Sequence, residues 1–220
     1  MVNKIEELIV NMILDKYKDE ILAILLLEED IPIVFCISQT MELTESVEIN
    51  ETHLIIKMKS LIHLNEMISR PAAEIPLELG PLIHYKVLFD PKKIVYKLKE
   101  KAFNLSREKI ILAIKDAYNK AFTHYVMANF LFARRKMLAF KYATREFAKY
   151  VALMVAILNQ TYFKYEYEYF LVKRLPREPP KYHRLMAILL EHELVSIDTM
   201  KRALDEVWKG CGEVWKSMRI

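Results

Sequence analysis

Glycine is nearly absent from this chain: its 220 residues include only Gly80, Gly210 and Gly212. A loop that cradles a phosphate needs glycine wherever backbone must approach the anion or adopt positive φ. Neither G-x-G-x-x-G nor G-x-x-x-x-G-K-[ST] can be written from these three positions, which excludes P-loop NTPases and Rossmann dinucleotide enzymes. Cysteine is as scarce. Cys36 and Cys211 cannot make a disulfide framework for a chain this long. Cys36 lies in Ile33-Val34-Phe35-Cys36-Ile37, surroundings that suit buried packing rather than a reactive thiol. Cys and His never cluster at ligand spacing, so neither a metal nor a cofactor is expected. Long apolar runs are missing too. Ile21–Leu27 and Val151–Leu158 fall far short of the ~20 residues that a membrane span requires. The N-terminus alternates charged and apolar residues without a signal-peptide core. The expectation is a soluble, cytoplasmic protein. Only Gln39 and Gln160 represent glutamine, against heavy use of Lys, Glu and Ile, a bias of thermophile sequences.

What is present is enough to fold. Hydrophobic residues make up 53% and charged residues 28%, a composition that buries a core and is not that of a disordered chain. The net charge of +4 conceals an asymmetry. Residues 1–100 carry 11 basic and 17 acidic side chains, whereas residues 101–181 carry 16 basic and 6 acidic. Such a split suggests two modules, the second preferring an anionic partner. Docking of the acidic module against the basic one, within a chain or across a dimer, accounts for it equally.

The periodicities agree with two modules. Ile5, Leu8, Ile9, Met12, Ile13 and Tyr17 have helical spacing. Ile21–Leu27 and Ile33–Ile37 are short apolar runs separated by a turn, the pattern of buried strands. Val47–Ile49 and His53–Lys59, around Asn50-Glu51-Thr52, read as a hairpin. Leu61–Ile68 reads as a short helix stopped before Arg70-Pro71, and Lys86–Phe89 as another strand ended by Asp90-Pro91. From Ser106 to Leu175 there is neither Gly nor Pro, and Ser106 is a suitable N-cap. A single helix of that length would span roughly 105 Å, so at least two antiparallel helices are expected, with a break near 137–142 and the second ending around Asn159–Tyr162. Helices at about 182–194 and 198–209 follow the rigid Leu175–Pro180 loop and close before Gly210. The fold class is therefore α+β: a small mixed-sheet domain over 1–104, then an antiparallel helical bundle over 105–220.

Four phrases carry a family resemblance. Lys16-Tyr17-Lys18-Asp19-Glu20 running into Ile21–Leu26 resembles the helix-then-strand opening of the nucleotidyltransferase fold. Tyr85-Lys86-Val87-Leu88-Phe89-Asp90-Pro91 is similar to that fold's late strand before a long helix. Ala133-Arg134-Arg135 and Ala156–Phe163 resemble the helical domain that follows it in small-molecule nucleotidyltransferases, a domain related to HEPN-type bundles. The resemblance implies a seat for a metal-bound triphosphate: Gly-Ser at the end of the first strand, then two carboxylates one residue apart on the next, holding divalent ions. Here Leu25-Leu26-Leu27-Glu28-Glu29-Asp30 stands where Gly-Ser belongs, and Asp-x-Asp occurs nowhere. Glu166-x-Glu168 lies in the wrong half, and Glu48 alone echoes the family's third carboxylate, a position that strand-edge solvation also explains. A degenerate, non-catalytic member is expected.

Other constellations compete. With helix through 134–149, Arg134, Lys141, Arg145 and Lys149 share one face, flanked by Arg135 and Lys136, as a phosphate-binding stripe would. A solvated face is the alternative. Tyr162, Phe163, Tyr165, Tyr167, Tyr169 and Phe170 lie near Lys164, Lys173 and Arg174, where aromatic rings stack bases or simply pack. Arg177, five residues and then His183 match the loose Arg–His spacing of HEPN ribonucleases, but two prolines intervene. The six histidines make no zincin motif, and there is no G-x-S-x-G elbow. The leading expectation is a nucleotide- or RNA-binding pseudoenzyme using Arg134, Arg135, Lys141, Arg145 and Lys149. The alternatives are a homodimeric interaction protein of a toxin–antitoxin-like pair, and a ribonuclease using Arg177 and His183.

Overall fold

The computed structural model describes residues 2–27, 32–49, 52–164, 168, 175–179, 181–190 and 195–218. Two compact units emerge: residues 1–70 with 77–105, and residues 71–76 with 106–220. The architecture is α+β, with the sheet in the first unit and helices alone in the second.

In the first unit, α1 (Val2–Tyr17) leads into β1 (Ile21–Leu27), β2 (Ile33–Ser38), β3 (Leu43–Ile49) and β4 (Thr52–Ser60). Then come α2 (Leu61–Ser69), α3 (Ile75–Glu78), which crosses the unit boundary, α4 (Gly80–His84), β5 (Lys86–Phe89) and α5 (Ile94–Phe103). The strands run in the order β3-β4-β2-β1-β5, antiparallel except for the β2–β4 pair. β1 has no polar residue because both its faces are covered. Ile24 and Leu26 join Val34, Cys36, Leu54, Ile56 and Met58 under Ile9 and Ile13 of α1. Ala23 and Leu25, with Phe35 and Ile37, are buried on the other face, where α4 and α5 pack on β1 and α2 on β4. A strand sealed on both sides reads as an unbroken apolar run, and one at an edge alternates. β3 is that edge, and its burial alternates along its length. Side chains cap the helices that follow. Ser60 accepts the His63 N–H, and Asp90 accepts those of Ile94 and Val95.

The second unit is built on α6 (Arg107–Ala133) and α7 (Met137–Leu158), an antiparallel pair, with α8 (Tyr182–Leu190) and α9 (Ile197–Met218). Ring pairs fix its register: Phe132 meets Phe140, Tyr125 meets Phe147, and His124 stacks on Tyr150. α6 buries mainly small side chains, Ala113, Ala117, Ala121 and Ala128, which lets α7 approach with Phe140, Phe147 and Val151. Ser106 caps α6 as its sequence suggests.

Two features depart from expectation. The helix break lies at 134–136, ahead of 137–142. There the Arg135 N–H donates to the Phe132 carbonyl and the Lys136 N–H to that of Leu131, the paired bonds of a Schellman close, with Arg135 at φ 56°. Glycine usually holds that left-handed position, so its scarcity hid the stop. Gln160, at φ 50°, ends α7 in the same way, with Thr161 N–H reaching the Ala156 carbonyl. The last helix, in turn, does not close before Gly210 but runs through it to Met218. A Cβ on Gly210 would come within 2.9 Å of the Pro179 Cβ, so this glycine serves a close approach rather than a turn. The expected 182–194 helix is seen over Tyr182–Leu190, and residues 191–194 lie outside the described residues.

Candidate functional site

The sheet comes first, because the resemblance puts chemistry there. β1 is buried throughout, and β2 from Val34 to Ser38. Neither carries a carboxylate. Burial, and then the charge of Glu45, push the Cys36 thiol up to about 12, the behaviour of packing. On β3, Glu45 is already engaged. It accepts from Lys16 Nζ at 2.7 Å and from the Tyr17 hydroxyl, and these bonds outweigh its desolvation to hold its carboxyl below the ordinary range. Glu48 is exposed on the edge strand, opposite His53. Glu28, Glu29 and Asp30, at the Gly-Ser position, lie outside the described residues. Among the described residues no three His, Cys, Asp or Glu side chains converge to hold a metal ion.

The basic stripe is rearranged by the break. Arg134, Arg135 and Lys136 sit in the turn, not on α7, so Arg134 leaves the helical row. All three are exposed, and no carboxylate pairs with them among the described residues. The Arg134 guanidinium lies 5.4 Å from the Phe130 ring centre. Lys141, Arg145 and Lys149 remain on α7 at four-residue steps, half-buried. From Met137 to Lys149 the helix rises about 18 Å, so the expected phosphate contacts form an extended track rather than a pocket.

Lys149 ends that track at a cluster that the sequence reading missed. Lys120 Nζ lies 2.8 and 2.9 Å from the two Glu74 oxygens and 3.0 Å from Asp116 Oδ2. Asp116 Oδ2 also accepts the Ala73 N–H at 2.9 Å, which fastens the 71–76 segment to α6. Tyr150 stands beside this group. Lys120 and Lys149 lie 5.6 and 5.8 Å from its ring centre, and His124 is stacked on it at 5.4 Å. Partial burial works against the Lys120 charge, but the bonds to Glu74 and Asp116 prevail and raise its pKa. Burial, then the Glu74 charge, raises the Tyr150 phenol. Burial lowers the His124 imidazole, with Glu146 opposing and Lys149 assisting. One cation between two carboxylates leaves this cluster a net acceptor, suited to donors rather than to phosphate. Asp116 and Lys120, four residues apart on a helix, were legible as a pair; Glu74 comes from a distant segment and was not.

The structure places Asn159 beside the Arg177 backbone and Glu178 beside the His183 imidazole. The Arg177 backbone is pinned to Asn159, whose amide donates to its carbonyl at 2.7 Å and whose Oδ1 accepts its N–H at 2.9 Å. Glu178 has its Oε2 3.0 Å from His183 Nε2, and that oxygen also accepts the Leu175 N–H. Of the aromatic group, Tyr162 is buried, its phenol pushed up to about 12. Tyr165, Tyr167, Tyr169, Phe170, Lys173 and Arg174 lie outside the described residues, as does Glu166. Glu168 is buried and accepts the Lys164 N–H.

Comparisons with known proteins bear on the whole chain. No curated protein sequence matches it. Among solved structures, a nucleotidyltransferase-like protein from Exiguobacterium sibiricum 255-15 superposes with a TM-score of 0.54 at 12% identity, covering 97% of this chain and 75% of that one. At that identity the likeness is one of fold, and the fold is nucleotidyltransferase-like. The KNTase C-terminal domain family matches residues 88–220, more than half of the sequence. The span takes in the end of β5, α5 and all the long helices of the second unit, Lys120 and Arg134 included. The chain belongs to the KNTase C-terminal domain family.

Proposed function

We propose that this protein binds an anionic phosphate polymer, an RNA strand in preference to a single nucleotide, and does not transfer a nucleotidyl group. The observation that carries the reading is the α6–α7 turn. Arg134, Arg135 and Lys136 are three successive exposed cations with no acidic partner among the described residues, held by a hydrogen-bonded Schellman close. With Lys141, Arg145 and Lys149 they extend along α7 for about 18 Å, a track several phosphates long. Arg134 over Phe130 adds an aromatic surface on which a base can stack. Transfer is disfavoured because β1 and β2 offer apolar, buried side chains where paired carboxylates would neutralise a metal-bound triphosphate.

Fluorescence anisotropy of a labelled RNA oligonucleotide tests this, run from low to moderate salt. Arg134→Glu with Arg135→Glu should weaken binding roughly tenfold or more and reduce the salt slope by about 1–2. Unchanged affinity removes the reading, and transfer of labelled AMP from Mg-ATP to any acceptor overturns its second half.

A second reading, assembly into a homodimer, has its own support. Phe122, Val126 and Phe130 form an i, i+4, i+8 row on α6, exposed together with Met127, and Leu138 at the start of α7 is 70% exposed. So much exposed apolar surface along one helix suits a protein partner. Light scattering on the same preparation, with and without Val126→Glu, reads it directly: a dimer that the substitution dissolves supports assembly.

A further inference from the structure

A second cationic feature lies apart from the α6–α7 track, between α8 and α9. A concave pocket of about 380 Å³ is lined by Lys181, Arg184, Thr199, Arg202 and Glu206, with Ile188 and Ala203 at its wall. Three cations meet one carboxylate. The one ion pair there among the described residues is long, Lys181 Nζ to Glu206 Oε2 at 3.8 Å, and both its side chains are more than half exposed, so solvent screens most of its value. Arg184 and Arg202 are exposed and have no acidic partner among the described residues. α8 and α9 are joined by buried Met186, Leu189, Met200, Ala203 and Leu204, an apolar seam that leaves the two guanidiniums outside it.

We propose that this pocket is a binding site for a small phosphomonoester. Two arginines from different helices, reaching into one concavity, can present guanidinium forks to a tetrahedral oxyanion, which accepts bidentate bonds from each. Lys181 adds a third charge, and Glu206 accepts from a hydroxyl on the rest of the ligand. The volume is that of a small-molecule site rather than of a groove for a strand. The site stands independently of the RNA-binding reading: it shares no residue with Arg134–Lys149, and either can fail alone.

Isothermal titration of the full chain with inorganic phosphate, and then with a sugar monophosphate, tests the proposal. Both should bind one equivalent, the sugar phosphate more tightly because Glu206 engages its hydroxyls. Arg184→Ala with Arg202→Ala should weaken both at least roughly tenfold, since each guanidinium supplies charge-assisted hydrogen bonds. Should that double variant lose its cooperative melting transition, Arg184→Lys with Arg202→Lys keeps charge while removing the forks, and should still weaken binding several-fold. Failure of phosphate to bind wild type, equal binding by the folded arginine variants, or tighter binding of an oligonucleotide that Arg184 and Arg202 control would each overturn it.

Discussion

The two units hide different things at their centres. The first buries a sheet whose strand β1 is apolar from end to end and whose β2 is apolar up to Ser38, with Ile24, Leu25, Cys36 and Ile37 essentially inaccessible. The second packs α6 on α7 through alanines and aromatics, yet beside that seam it keeps a lysine between two carboxylates, a tyrosine and a histidine. Desolvating a charge is costly wherever it happens, and the helical unit tolerates it because each charge there has a partner within hydrogen-bond reach and partial access to water. Among the described residues β1 and β2 themselves carry no charged side chain. The difference teaches where polar chemistry can be carried. In this chain the partnered charges set beside a buried seam lie in the helical unit, and the fold as a whole is nucleotidyltransferase-like.

The comparison breaks if the sheet accepts a carboxylate. Cys36→Asp restores an acid to β2 at a fully buried position whose thiol is already pushed up to about 12. A carboxyl there meets the same desolvation and the like charge of Glu45. The loss should exceed about 3 kcal/mol, seen as a collapse of the urea midpoint. A wild-type midpoint would mean that β2 is not a sealed strand and that the contrast between the units is false.

A smaller effect tests packing in the helical unit by itself. Gly210 and Gly212 lie two residues apart in α9, the first buried and the second half-buried, and differ in what a Cβ would meet. At Gly210 it meets Pro179 at 2.9 Å; at Gly212 nothing lies within 4 Å. Helix propensity favours alanine at both, by about 1 kcal/mol. Gly212→Ala should therefore stabilise by roughly 0.5–1 kcal/mol, whereas Gly210→Ala should destabilise by about 1–3 kcal/mol because a proline ring cannot swing aside. Thermal melts of the two variants check the signs, and stabilisation by both would remove the Pro179 contact as the reason for the glycine.

These glycines also measure how far the sequence could be read. Strands β1, β2 and β5, the β3–β4 hairpin and the Ser106 start of α6 were legible, because burial periodicity and caps are local signals. The stop at Arg135 was not. Its left-handed backbone carries an arginine where the usual sign is glycine, and the packing of α7 on α6, not the residue type, holds it there. Gly210 misled in the opposite direction, suggesting an end where the chain only needed room for Pro179. In the candidate site, the cations were visible as residues but not as a turn plus a helix. The Lys120 cluster needed the 71–76 segment folded onto α6 before Glu74 could count.

The smallest expected effect sharpens the comparison at the polar cluster itself. Burial lowers the His124 imidazole below its ordinary value of 6.5, Glu146 opposing and Lys149 assisting. The folded chain thus binds that proton less readily than the unfolded chain does. Between the folded value and 6.5 the unfolded state holds more protons, so stability rises with pH across that window and falls as acid is added from neutrality. Below both values the penalty is complete and the slope vanishes. His124→Gln removes the titration while keeping a planar polar group against Tyr150, so the difference between the two stability–pH curves isolates the imidazole from every other group that titrates. The difference should appear only on the acid side of neutrality, with the variant losing less stability there, and should be small because the ring is partly exposed. If the curves are parallel down through that window, the imidazole is as well solvated folded as unfolded, and the polar cluster is a surface feature rather than one set into the helical unit.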